Sequence, residues 1–144
     1  MQVISTDKAP QALGPYSQAI VAGNTVYCSG QIAINPATGE LVLENIEAEA
    51  EQVMNNIGAV LEAAGCTYAN VVKTTIFATD INDFAAVNGV YGKYFQVNPP
   101  ARSFVQVAAL PKGVHVEIEV VALKELSLPT TYSASIFGFN VNEY

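Results

Sequence analysis

Residues 71–78 read Val-Val-Lys-Thr-Thr-Ile-Phe-Ala, with β-branched or apolar side chains on both alternating sets. Such a strand is covered on two faces. One cover is supplied by its neighbours in sequence. Upstream, Ile46, Ala50, Val53, Ile57, Val60, Leu61 and Ala64 recur at the helical period, with Asn45 as N-cap, Glu47 and Glu49 in the first turn and Gly65 as the stop. Downstream, Phe84, Val87, Tyr91, Tyr94 and Phe95 form a second helical stripe that ends before Asn98-Pro99-Pro100. Two more strands, 101–107 and 115–122, are separated by a turn at Leu110-Pro111-Lys112-Gly113 and read as a hairpin. Earlier in the chain, 17–22 and 25–29 flank Gly23-Asn24, a pair that tolerates positive φ, and predict another hairpin. A further turn falls at 36–39, Pro-Ala-Thr-Gly. The order hairpin, helix, strand, helix, hairpin predicts an α+β layer, a mixed sheet with two helices packed on one face.

Composition says what covers the other face. The 144 residues are 51% apolar and 13% charged, more apolar surface than one domain of this size buries, which points to an interface. Six Lys and Arg against 13 Asp and Glu give a formal charge of −7, which repels a polyanion and argues against nucleic acid as a partner. His115 stands alone, and Cys28 and Cys66 lie too far apart to form a C-x-x-C half-site, so no structural zinc is expected. Both Cys are expected to be buried, reduced and inert. Residues 1–8 lack the features of a secretory or transit leader, and no run reaches the ~18 apolar residues of a membrane span, so the expected compartment is the cytosol, with no membrane partner. Residues 1–124 read as one domain. The stretch 125–144 changes character and reads as a C-terminal extension of unknown function: a loosely docked or disordered tail, or an expression remnant, in which Ile136, Phe137 and Phe139 are apolar enough to dock on a neighbouring surface.

Arg102 is the only Arg of the chain and enters a strand directly after Pro99-Pro100-Ala101. Alternation puts Arg102, Phe104 and Gln106 on one face of that strand, and in the next it separates Val116, Ile118 and Val120 from Glu117 and Glu119. If the aliphatic sets of both strands lie under the helices, Arg102, Phe104, Glu117 and Glu119 share the opposite face. Two readings stand at this point: a structural Arg–Glu pair, or a pocket in which the guanidinium grips a small carboxylate and a Glu handles water or a proton. Tyr16, in Gly14-Pro15-Tyr16-Ser17, sits beside a tight turn. Ser29-Gly30-Gln31 ends a strand at a glycine, which permits close backbone approach to a ligand. His115 could project to the face of Glu117. Phosphate-cradling loops, GxSxG and HExxH are absent from the sequence.

In combination, A-P-x-x-L-G-P-Y-S-Q-A, S-G-Q-I, N-P-x-T-G-E, V-V-K-T-T-I-F and P-A-R-S-x-V-Q-V-A-x-L-P-K-G followed by V-E-I-E-V-V-A are specific. The chain resembles the RidA/YjgF family of reactive-intermediate deaminases over residues 1 to about 124. The resemblance implies a chorismate-mutase-like fold and a homotrimer, its sheet faces packed around a central barrel and its active sites between subunits. It implies hydrolytic deamination of 2-aminoacrylate/2-iminopropanoate and 2-iminobutanoate to 2-oxo acids and ammonium, with no metal or organic cofactor. It further implies Arg102 as carboxylate binder, Glu117 as holder of the water, Tyr16 in the cleft, and Gly30 with Ser29 against the substrate. Phe104 departs from the pattern, because many deaminating members carry Cys there, and its ring is expected to narrow the cleft or shift substrate preference. The alternative is a non-catalytic trimeric binder of small carboxylates, or a chaperone-like partner-binding module, silenced by Phe104. Similar members have been labelled endoribonucleases or translation inhibitors, but the charge and the missing His pair argue against RNA cleavage.

Overall fold

The computed structural model of the chain describes residues 1–124, so the expected extension 125–144 lies outside the described residues. Its strands are β1 (Gln2–Ile4), β2 (Ala19–Ala22), β3 (Thr25–Cys28), β4 (Val71–Ala78), β5 (Ala101–Gln106) and β6 (Val116–Leu123), and its helices are α1 (Ile46–Ala63) and α2 (Phe84–Tyr94). The strands form one sheet in the order β1-β2-β3-β6-β4-β5. Only β4 and β5 run parallel, so the sheet is mixed. Among the described residues no helix is long and apolar enough to cross a membrane.

The local signals act as read. The Asn45 side chain accepts the Ala48 N–H at 2.8 Å, capping α1. Gly65 ends the helix at φ +79°, and Gly23 turns the β2–β3 hairpin at φ +60°. The two short strands were expected to be longer, and β1, an edge strand of three residues, was not anticipated.

The last two strands do not form the expected hairpin. Helix α2 carries the chain over the sheet and returns it as β5 in parallel register with β4, Thr74 opposite Arg102 and Ile76 opposite Phe104. This is a βαβ unit, and α2 is its crossover. The segment after β5, with a 3-10 turn at Pro111–Gly113, then brings β6 down the other side of β4. There β6 is central, with β3 on its far edge.

That topology corrects the expected faces. Arg102 and Phe104 align with Thr74 and Ile76, which in turn face Val120 and Ile118 of β6, so all six lie on the helix-covered side. Glu117 and Glu119 align with Phe77 and Thr75 on the opposite, open side. The phase of β6 is as read, whereas that of β5 is reversed: Val105 is the exposed residue, and Arg102 and Phe104 are half-buried under α2. Beneath both helices lies one core, built around Met54, Ile57, Leu61, Ile76 and Ile118. Cys28 and Cys66 are free and buried in it, and burial pushes the Cys28 thiol up to about 12.

Glu49 is the charged exception in that core, 1% exposed. Its carboxylate accepts the His115 and Val116 N–H groups at 2.7 and 2.8 Å and contacts His115 Nδ1 at 2.7 Å. Three charge-assisted contacts offset its desolvation and fasten the start of β6 to α1.

Candidate active site

The irregular segment 6–16, the end of β3 and the open face of β6 enclose a groove of about 520 Å³. Tyr16, Ser29, Gly30 and Glu117 all line it. Antiparallel bonds between Gln31 and Ile118 (2.9 and 3.2 Å) draw the Ser29–Gln31 strand end along β6. Gly30 therefore lies directly against Glu117: a Cβ there would stand 2.6 Å from Glu117 Oε1. Only glycine leaves the carboxylate its position. Desolvation in the groove, and then the like charge of Glu119, hold the Glu117 carboxyl above the usual carboxylate range. Such a group moves between protonated and ionised forms more readily near neutrality than an exposed Glu.

Ser29 is tied into the frame. Its hydroxyl donates to Ser17 O at 2.5 Å and its N–H to Gln18 O at 2.9 Å, so the hydroxyl proton is engaged and the oxygen keeps only acceptor capacity. Tyr16 is 53% exposed at the groove mouth, with the Leu13 N–H donating to its Oη at 3.4 Å. Lys112 lines the same groove, at φ +57° beside Gly113. Sequence reading passed it over because it sits in a turn rather than an element.

Arg102 belongs to a different half. Its Nη1 donates to Asn88 Oδ1 of α2 at 2.5 Å, and its guanidinium carbon lies 5.5, 5.1 and 5.9 Å from the ring centroids of Phe84, Tyr91 and Phe104. The Phe104 ring packs at 4.9 Å on Phe84 rather than projecting from the open face. Tyr91 is fixed in turn by its hydroxyl, 2.8 Å from Thr74 Oγ1. A planar cation held by one amide and three rings, its other N–H donors without a partner among the described residues, suits a carboxylate. In the sequence Phe84 and Tyr91 read only as members of an apolar helical stripe, and Asn88, a lone polar residue beside it, carries no signal of its own. Among the described residues no Arg–Glu ion pair forms: the salt bridges join Lys93 to Glu51 and His115 to Glu49. His115 is thus engaged with Glu49 rather than directed beside Glu117.

The chain therefore places Glu117, Gly30, Ser29 and Tyr16 together and holds Arg102 and Phe104 on the other side of the sheet. Among the described residues no three His, Cys, Asp or Glu cluster as a metal site would require.

Comparison with known proteins gives a consistent set. The profile of a family described as Endoribonuclease L-PSP matches residues 6–124. A protein of Capra hircus named 2-iminobutanoate/2-iminopropanoate deaminase is 55% identical over 123 residues, which span 85% of this chain and 90% of that relative. Among solved structures, a putative endoribonuclease of Thermotoga maritima superimposes with a TM-score of 0.86 at 52% identity, covering 88% of this chain and 99% of that one. The E. coli protein TdcF, crystallised with bound serine, has a TM-score of 0.83 at 42% identity, covering 87% and 100%.

Proposed function

Because this chain belongs to the endoribonuclease L-PSP family, the RidA/YjgF group its motifs resemble, we propose that it hydrolyses reactive 2-imino acids and their enamine tautomers to 2-oxo acids and ammonium. The substrates are 2-aminoacrylate/2-iminopropanoate and 2-iminobutanoate, the latter two being those in its relatives' name. The observation that carries the reading is Glu117: a desolvated carboxyl pressed against a glycine, in a groove sized for a small metabolite.

The chemistry asks little of the protein. A protonated imine carbon is already electrophilic, so orientation and one placed water suffice. Glu117 holds that water and takes its proton as the oxygen adds to the carbon. The resulting carbinolamine receives that proton on nitrogen from the same carboxyl; as the C–N bond breaks, the carboxylate takes the hydroxyl proton so that the C=O forms, and the departing ammonia carries this proton away as ammonium, leaving the oxo acid and an ionised Glu117. Arg102 anchors the substrate carboxylate, Tyr16 closes the mouth, and Ser29 and Gly30 bound the reacting end.

Arg102 and Glu117 lie on opposite faces of one sheet, so a single substrate meets both only where two subunits abut. The assembly in this proposal is the homotrimer, with the open faces around its axis and each site made of one subunit's Arg102 half and a neighbour's Glu117 half. A carboxylate ligand matches the serine found in TdcF. The net charge speaks against RNA as substrate, and the cytosolic placement belongs to the same reading. The test is a coupled assay with threonine dehydratase. Faster 2-oxobutanoate formation on adding the protein is expected; an unchanged rate leaves only a carboxylate binder.

A further inference from the structure

Residues 6–16 belong to no helix or strand, yet they contribute Pro10, Gln11, Leu13 and Tyr16 to the groove. A wall without ladder hydrogen bonds is held by whatever side chains reach it. Gln18, 3% exposed at the foot of β2, is the side chain that does so. Its Oε1 accepts the Thr6 N–H at 2.7 Å, and its Nε2 donates to Thr6 O at 3.0 Å and Pro10 O at 2.8 Å, with Ala9 O at 3.4 Å. All its polar capacity is thus directed at one short stretch of backbone. Its own carbonyl accepts the Ser29 N–H, next to Gly30 and Glu117. One residue therefore fixes the distance between the irregular wall and the reacting end of the groove.

The wall presents Pro10 and Leu13, and Ile32 and Ile34 line the same groove. These apolar groups suit the alkyl part of a substrate whose carboxylate and imine are engaged elsewhere. Resting on the deaminase reading above, we propose that Gln18 is a positioning residue whose clamp on residues 6–10 sets the alkyl length the groove accepts. A loosened wall admits the extra methylene of the four-carbon imine at little cost to the three-carbon one.

The variants are Gln18→Met, which keeps the volume and removes all four contacts, and Gln18→Glu, which keeps the acceptor for Thr6. Steady-state assays coupled to serine and threonine dehydratases give kcat and KM for 2-iminopropanoate and 2-iminobutanoate. Hydrogen exchange reports protection across 6–16. For Gln18→Met the expected result is a preference moved at least fivefold toward 2-iminobutanoate, with kcat for 2-iminopropanoate within threefold of wild type and protection lost across 6–16. Gln18→Glu is expected to lie between, and it decides the matter if the Met variant does not fold. A preference within twofold of wild type overturns the proposal, as does an equal fall in kcat for both imines. If wild-type protein accelerates neither reaction, the deaminase reading fails, and exchange alone judges the clamp: unchanged protection in the variant removes it.

Discussion

Arg102 is caged by Asn88 and three aromatic rings, and the cage fixes a plane as well as a charge. Lysine supplies the charge without the fork, so Arg102→Lys is expected to lower kcat/KM nearly as far as Arg102→Ala does. Losing a charge-assisted contact costs ~2–5 kcal/mol, roughly 30-fold or more in kcat/KM, and an Arg102→Ala enzyme near wild-type rate removes the residue from the mechanism. Phe104 contributes one of the rings, so Phe104→Cys raises KM by about threefold for both imines alike, as loss of a cation–π contact of ~0.5–1 kcal/mol requires. A change confined to the longer imine shows instead that the ring walls the cleft. For Glu117 the sign follows from its raised pKa. The carboxyl stays protonated to higher pH than an ordinary Glu, so the acid limb of kcat/KM lies above the usual carboxylate range. Glu119→Gln, which removes the second cause and leaves desolvation, moves that limb to lower pH. Ionising a group whose folded pKa is raised costs stability as pH rises through that pKa, so Glu117→Gln at pH 7 is expected to raise Tm while abolishing turnover.

The strand β6 carries Glu117, and it is positioned by helix α1 through Glu49. Removing that carboxylate leaves the buried Val116 N–H and the part-buried His115 N–H without acceptors. Glu49→Ala is expected to destabilise the protein by about 3 kcal/mol, or roughly 10 °C in Tm at fixed protein concentration. Glu49→Gln keeps one acceptor oxygen and lies between; equal Tm for all three proteins shows that water takes over the bonds. At this scale the sequence was legible wherever one periodicity dominated. Both helices, the Asn45 cap, the Gly23 turn and β4 follow from spacing and turn chemistry. Strand β5 was not legible in the same way, because each of its alternating sets mixes polar with apolar residues: Arg102, Phe104 and Gln106 against Ser103 and Val105. Its phase is decided by α2, whose Phe84, Asn88 and Tyr91 receive the guanidinium, and by the parallel partner β4. Neither is a local property. Of the candidate site residues, Glu117 lies on the side of the sheet that its alternation in β6 predicts, whereas the side taken by Arg102 and Phe104 is not readable from β5 alone.

For the molecule as a whole, the open face presents Tyr27 and Val105, 53% and 41% exposed, alongside Thr75, Phe77 and Glu119. An apolar rim of that kind is covered by other copies of the chain in the proposed trimer. Light scattering at micromolar concentration is expected to give three times 15.2 kDa, and a monomer mass removes the composite site. A sharper measurement mixes two inactive variants, Arg102→Ala and Glu117→Gln, by denaturing and refolding them together. Random assembly pairs an intact Arg102 half with an intact Glu117 half in about a quarter of the sites, so about a quarter of wild-type activity returns. Mixing that restores nothing shows that both halves act within one subunit. The split of the site between the two faces of one sheet also has a kinetic signature. In the proposed trimer, specific activity is expected to become a function of how much protein is in the tube: below the concentration at which subunits part, a released chain holds only half of each site and is expected to turn over nothing until it meets its neighbours again.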